Sequence, residues 1–116
     1  MTLGGKVLTF GGLAGVGDLV ATCASPKSRN RTVGFALGQG GTLDEIVGGM
    51  QMVAEGIKSA GPLVGLARAH GVEMPIAEQV QQIVEGRCSP AEALMALMAR
   101  PSRAEWDETL LRGLLA

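Results

Sequence analysis

The residues with the most chemistry to offer lie in residues 9–31, TFGGLAGVGDLVATCASPKSRNR. A lone acid, Asp18, precedes a hydroxyl, Thr22, by four residues, so a helix over residues 12–24 puts both on one face. Cations with small polar partners follow: Lys27, Ser28, Arg29, Asn30 and Arg31. Ser25-Pro26 reads as a helix start, a cap followed by proline in the first turn. Arg29 and Asn30 then fall near a helix N-terminus, where free N–H groups and the positive end of the dipole favour an anion. An acid and a hydroxyl beside a phosphate-ready fork point to a site for a small phosphorylated polyol.

The elements that must position these residues read as helices. Ala, Leu, Val and Met dominate, aromatics are 3% and tyrosine is absent, which favours helix over β-sandwich. At 116 residues the chain is one domain with enough length for a core. A net charge of −1 provides no global basic field for nucleic acid. Uncharged stretches fall short of the roughly 20 residues a bilayer span needs, and no signal peptide is read at Met1. Cys23 and Cys88 form no C-x-x-C pair and read as reduced core thiols of a cytoplasmic protein. With His70 the single histidine, no metal site is expected.

Val7 to Phe10 reads as a strand stub or the lead-in to a helix. Gly12, Gly15 and Gly17 then admit two readings. The order G-x-x-G-x-G differs from the dinucleotide fingerprint G-x-G-x-x-G, and no βαβ unit surrounds it. The favoured reading is a helix whose missing side chains let a neighbouring backbone or a ligand approach closely. The helix carrying Arg29 is expected to end at Gly38, Gly40 and Gly41. Thr42-x-x-Glu45 is a capping box that opens a short helix reaching about Met50.

Residues 51–55 connect to a long helix ending at His70 and Gly71, with Ile57, Leu63, Val64, Leu66 and Ala67 as its apolar face. Gly61-Pro62 is expected to kink or restart it. Pro75 starts a helix striped by Ile76, Val80, Ile83 and Val84. Ser89-Pro90-Ala91-Glu92 opens another that is apolar nearly all round and is expected to be buried. Ser102-x-x-Glu105 reads as a third capping box, launching a helix with Trp106, Leu110, Leu111, Leu114 and Leu115. The expected fold is all-α, a single helical bundle of about six to seven helices.

GLAGVGDL, then SRNR at a fixed distance, then MVAEG and EMPI, resemble prokaryotic NAD(P)-dependent glycerol-3-phosphate dehydrogenase, specifically its C-terminal helical domain. The likeness runs from Thr9 to about Arg100 and implies a bundle like the C-terminal domain of 6-phosphogluconate dehydrogenase. It assigns all of residues 1–116 to the substrate-binding domain, with the family's N-terminal nucleotide-binding domain absent, so the chain reads as a fragment or excised domain. The family interconverts dihydroxyacetone phosphate and sn-glycerol 3-phosphate with NADH or NADPH and feeds phospholipid synthesis. The resemblance makes Asp18 a substrate-site acid that orients the catalytic lysine, and Thr22 the hydroxyl near the reacting carbonyl. It makes Ser28, Arg29 and Asn30 substrate contacts, and Arg29, Val53 and Glu55 positions that touch NAD or NADP.

Those residue types suit the chemistry. Hydride transfer leaves charge on the carbonyl oxygen, to be met by a proton donor and preplaced hydrogen bonds. Arginine's planar fork suits a phosphate dianion better than lysine does. The family's lysine lies upstream of the glycine motif, and Lys6 stands too close to Asp18 to match it, so the isolated chain is expected to hold half a site and no turnover. A structural role competes at each position. Asp18 also reads as a cap or solvated acid, Asn30 as a turn former, and Thr22 as a back-bonded helix hydroxyl. Val53 also reads as a core residue, Glu55 as an acid favouring a following helix N-terminus, and Arg31 as part of a charged face. The six methionines read as core filler and His70 as a C-terminal dipole partner.

The partners implied are the substrate, the chain's own N-terminal domain and, through an uncovered apolar patch, a second copy in a homodimer. A rival reading is a stand-alone helical interaction module without catalysis.

Overall fold

The computed structural model describes residues 2–52 and 54–102. Among these, every regular element is helical: α1 (Val7–Gly11), a π-helical turn (Leu13–Gly17), α2 (Asp18–Ala24), α3 (Arg29–Gly38), α4 (Leu43–Gly48), α5 (Glu55–Ala69), α6 (Pro75–Val84) and α7 (Pro90–Met98). Val7 to Phe10 is therefore helix, not strand. The glycine-rich stretch is helical except at Gly12, whose extended backbone separates α1 from the Leu13–Gly17 part, which widens to a π turn. A Cβ on Gly15 would fall on the backbone carbonyl of Phe10, so the absent side chain makes room for the chain's own preceding turn.

Helix boundaries follow local chemistry. Thr42 accepts from the Glu45 N–H while the Glu45 carboxylate returns to the Thr42 N–H, and Ser89 and Glu92 repeat this at α7, with Pro90 in its first turn. These hydrogen bonds stabilise the charged carboxylates and hold both Glu45 and Glu92 below the usual carboxylate range, with Thr42 and Ser89 as the respective causes. Gly40, Gly71 and Gly86 take positive φ just beyond α3, α5 and α6, as C-terminal glycines do. α4 stops at Gly48, two residues before Met50. α5 runs on through Pro62, a restart being unnecessary because only one backbone donor is missing from a 15-residue helix.

α5 is the axis. Its buried residues Ala60, Val64 and Ala67 share a face by 3.6-residue spacing, joined in the core by Val33 of α3, Ala93 of α7 and Ala54. α5 packs on α6, α6 on α7, and α3 on α2, α4, α5 and α7. The small residues let helices approach, but the core they make is thin. Leu63 and Leu66 remain over two-fifths exposed. α7 is not buried: only Ala93 is, while Leu94, Met95 and Met98 face solvent, because α6 and α3 cover one side of it alone.

Two further expectations are corrected. Cys23 is exposed, Cys88 half-buried, and neither forms a disulfide, so they are free thiols but not core ones. Of the methionines, Met52, Met95 and Met98 are exposed, so they are not core filler. The capping box at Ser102 and the helix around Trp106 lie outside the described residues. No helix among the described residues is long and apolar enough to cross a membrane.

Candidate functional site

The site begins with a turn, not a helix start. Ser25 caps the C-terminal end of α2, its Oγ accepts from the Lys27 N–H at 3.2 Å, and its carbonyl accepts from the Ser28 N–H at 3.1 Å. Pro26 sits second in this turn, where its fixed φ is favourable. The helix starts three residues later than the Ser-Pro pair indicates. Ser28 is its cap: Ser28 Oγ accepts from the Arg31 N–H at 3.2 Å, and Ser28 O accepts from the Thr32 hydroxyl at 2.9 Å. Arg29 and Asn30 thus occupy the first turn of α3, with no acid beside them in that turn.

Asn30 reaches further. Its Oδ1 accepts from the Gly56 N–H at 3.1 Å, tying the start of α3 to the start of α5. Two helix N-termini, those of α3 and α5, therefore meet at one place, and Glu55 stands first in α5. Between them and α2 lies a cleft of about 370 Å³ lined by Ala21, Thr22, Ser25, Lys27, Ser28, Arg29, Asn30 and Glu55. It carries two cations against one carboxylate, with hydroxyl and amide groups between.

The structure thus brings together Thr22, Ser28, Arg29, Asn30 and Glu55. Asp18 is the first residue of α2, exposed, one turn before Thr22, and does not line the cleft. Val53 lies outside the described residues. Arg31 stands apart from the lining. Thr22 is half-buried and makes no hydrogen bond back to its own helix, unlike Thr32 and Ser59, so its hydroxyl is left for the cleft. Lys27 belongs to the lining although the motif reading did not assign it; its adjacency to SRNR was the available signal. Gly56 was likewise missed. The MVAEG segment contains it, but only the long-range bond reveals what it touches.

Among the described residues no cluster of three or more histidine, cysteine or acidic side chains is arranged to hold a metal. The arrangement offers donors and positive charge to a small anion, with an acceptor, Glu55, at its edge. Arginine and lysine complement phosphoryl oxygens, and convergent helix N-termini add to the field.

Comparison with known proteins identifies the family of the chain. Residues 1–95 match the family model described as the NAD-dependent glycerol-3-phosphate dehydrogenase C-terminus. A glycerol-3-phosphate dehydrogenase [NAD(P)+] of Parvibaculum lavamentivorans is 50% identical over 105 residues, covering 90% of this chain and 32% of its own length. That of Thermobifida fusca is 52% identical over 105 residues, covering 90% and 31% respectively. The crystal structure of the glycerol-3-phosphate dehydrogenase of Coxiella burnetii superposes with a TM-score of 0.79 at 40% identity, covering 84% of this chain and 30% of that one. The chain spans about a third of the length of the relatives it matches. It belongs to the family formed by the C-terminal region of NAD-dependent glycerol-3-phosphate dehydrogenases.

Proposed function

We propose that the cleft between α2, α3 and the start of α5 binds the phosphate of sn-glycerol 3-phosphate or dihydroxyacetone phosphate. The chain is then the substrate-binding half of an oxidoreductase that interconverts the two with NAD(P)H. The observation that carries this is the gathering of Lys27, Ser28, Arg29 and Asn30 at the N-terminus of α3, facing Thr22 and Glu55. The relatives' names supply the reaction class.

In this reading Arg29 and Lys27 neutralise the phosphate, with Ser28 and Asn30 donating hydrogen bonds. Thr22 offers its hydroxyl to the carbonyl oxygen, where negative charge develops. Asp18, a turn away, orients a lysine supplied from outside these residues. When bound, the nicotinamide supplies hydride. The described residues offer only the edge of such a cofactor a place, through Arg29 and Glu55. No strand among the described residues builds a dinucleotide fold, which leaves the main cofactor cradle to the N-terminal part of the enzyme. The isolated chain therefore binds but does not turn over, and the enzyme serves the supply of glycerol 3-phosphate for phospholipids.

The test joins the chain to its N-terminal part by extending the reading frame upstream and follows oxidation of reduced nicotinamide with dihydroxyacetone phosphate. Turnover that collapses in Arg29→Ala, mainly through weaker substrate binding, is the expected result; the change should cost about 2–3 kcal/mol. An unaffected mutant would leave the family in place and overturn the cleft. A second reading, a helical interaction module, is favoured by one observation: Leu8, Leu13, Leu19 and Val20 of the α1–α2 segment are all at least 61% exposed. Self-association with no response to glycerol 3-phosphate would select it.

A further inference from the structure

We propose that Gly56 is a positioning residue, which fixes the Asn30 side chain so that its amide donors, not its carbonyl, are what the cleft receives. This rests on the phosphate reading of the cleft and adds the device that sets the polarity of its lining. The Gly56 N–H donates to Asn30 Oδ1 at 3.1 Å, so the opposite orientation of the amide would set NH₂ against N–H and lose the bond. The Asn30 side chain makes no other hydrogen bond among the described residues, and its Nδ2 is left for the cleft that it lines.

Ser28 is treated the same way. Its Oγ already accepts from the Arg31 N–H, so the hydroxyl hydrogen is the group it has to offer. Two side chains able to donate or accept are each held by a backbone N–H in a way that leaves donors. Beside Lys27 and Arg29, the α3 side of the cleft then presents donors to an all-acceptor phosphoryl group, while Glu55 is left for a ligand hydroxyl. Glycine leaves room for the lock. A Cβ on residue 56 would stand 2.9 Å from Asn30 Oδ1 and 3.2 Å from its Cγ, so the Asn30 amide would have to shift from the position in which it accepts.

The experiment titrates the 116-residue chain with glycerol 3-phosphate, and with glycerol as the uncharged control, by nuclear magnetic resonance. Hydrogen exchange at the Gly56 amide is followed alongside. In the wild type the Gly56 amide should be protected and glycerol 3-phosphate preferred over glycerol. Gly56→Ala should weaken glycerol 3-phosphate about tenfold, the loss of one positioned donor to a charged group. Asn30→Asp retains an acceptor for the Gly56 N–H but replaces the free donor by an acceptor, so protection should persist while affinity falls at least as far.

A Gly56→Ala protein that binds like the wild type overturns the proposal, as does an Asn30→Asp protein that does so with its lock intact. If Gly56→Ala does not fold, Asn30→Asp decides alone. A wild type that holds the Gly56 amide protected yet treats glycerol and glycerol 3-phosphate alike overturns the phosphate reading itself, and this proposal with it.

Discussion

Asn30 and Gly56 stand 26 residues apart in sequence, yet the Gly56 N–H donates to the Asn30 side-chain oxygen at 3.1 Å. This bond couples the first turns of α3 and α5. It costs α5 nothing, because the first N–H groups of a helix have no partner within it. Asn30→Ala should therefore lower the stability of the chain by about 1 kcal/mol. Urea unfolding should show an earlier midpoint with an unchanged slope. An unchanged midpoint would mean that water replaces the bond at no cost.

Ser28 allows capping to be separated from recognition. Ser28→Ala should destabilise by about 1 kcal/mol, because the Arg31 N–H loses its acceptor. Ser28→Asp should restore that stability, since aspartate caps as well as serine and its charge suits the dipole. It should also abolish binding of glycerol 3-phosphate by placing a carboxylate in the cleft. Thermal unfolding and ligand titration of the same two variants check both halves; a Ser28→Asp protein that still binds would remove Ser28 from the site.

The two capping boxes predict an acid limb. The Thr42 hydrogen bonds lower the Glu45 pKa, and those of Ser89 lower that of Glu92. A carboxylate lowered in the folded state contributes stability that is fully present above its ordinary value near 4.5 and is lost as pH falls through the lowered one. Both side chains are exposed, so the effect is small. Glu45→Gln with Glu92→Gln keeps the capping geometry and removes the titration. The double variant should lose less stability than the wild type between about pH 5 and pH 3. Equal acid limbs would place the titration elsewhere.

Much of this fold was legible because helix ends are local. Thr42-x-x-Glu45 and Ser89-x-x-Glu92 need only contacts within one turn, and both boxes form at the positions read from sequence. Ser25 and Ser28 were not separable on that basis, since each precedes residues able to enter a helix. The Ser25 turn, closed by Lys27 and Ser28, decided between them. Burial was the least legible property. Periodicity in α7 states what the helix can cover, not whether a neighbour exists on each side, and Leu94, Met95 and Met98 stay exposed. In the cleft, Ser28, Arg29 and Asn30 were readable as a motif, whereas Gly56 required a contact that no spacing encodes.

The uncovered apolar face carries its own prediction. Leu13 is 91% exposed, with Leu8, Val16 and Leu19 near it along the α1–α2 segment. Contiguous apolar surface of this kind drives association. Leu13→Lys should shift the chain toward monomer in sedimentation velocity without changing its helical content, because a side chain with so few contacts contributes little to the fold. An unaltered distribution would assign self-association to another surface.

Gly15 and Gly17 distinguish a structural from a ligand-binding role for the glycine-rich stretch. A Cβ at Gly15 would fall on the Phe10 carbonyl, a backbone atom of α1, so that α1 and the π turn would have to move apart. A Cβ at Gly17 would meet Leu13 Cδ2 at 3.2 Å, the end of a flexible and exposed side chain that can swing aside. Gly15→Ala should therefore cost about 1–3 kcal/mol, the range for overpacking against a rigid neighbour. Gly17→Ala should be nearly neutral or slightly stabilising, as alanine is the better helix former. If the glycines instead made room for a ligand, both variants would fold like the wild type and fail together in binding glycerol 3-phosphate. Urea unfolding set beside a ligand titration separates these outcomes. The expected result, unequal stability with binding retained in Gly17→Ala, makes the glycine run a device for packing the π turn against α1 where the chain runs on into α2, one turn ahead of Thr22.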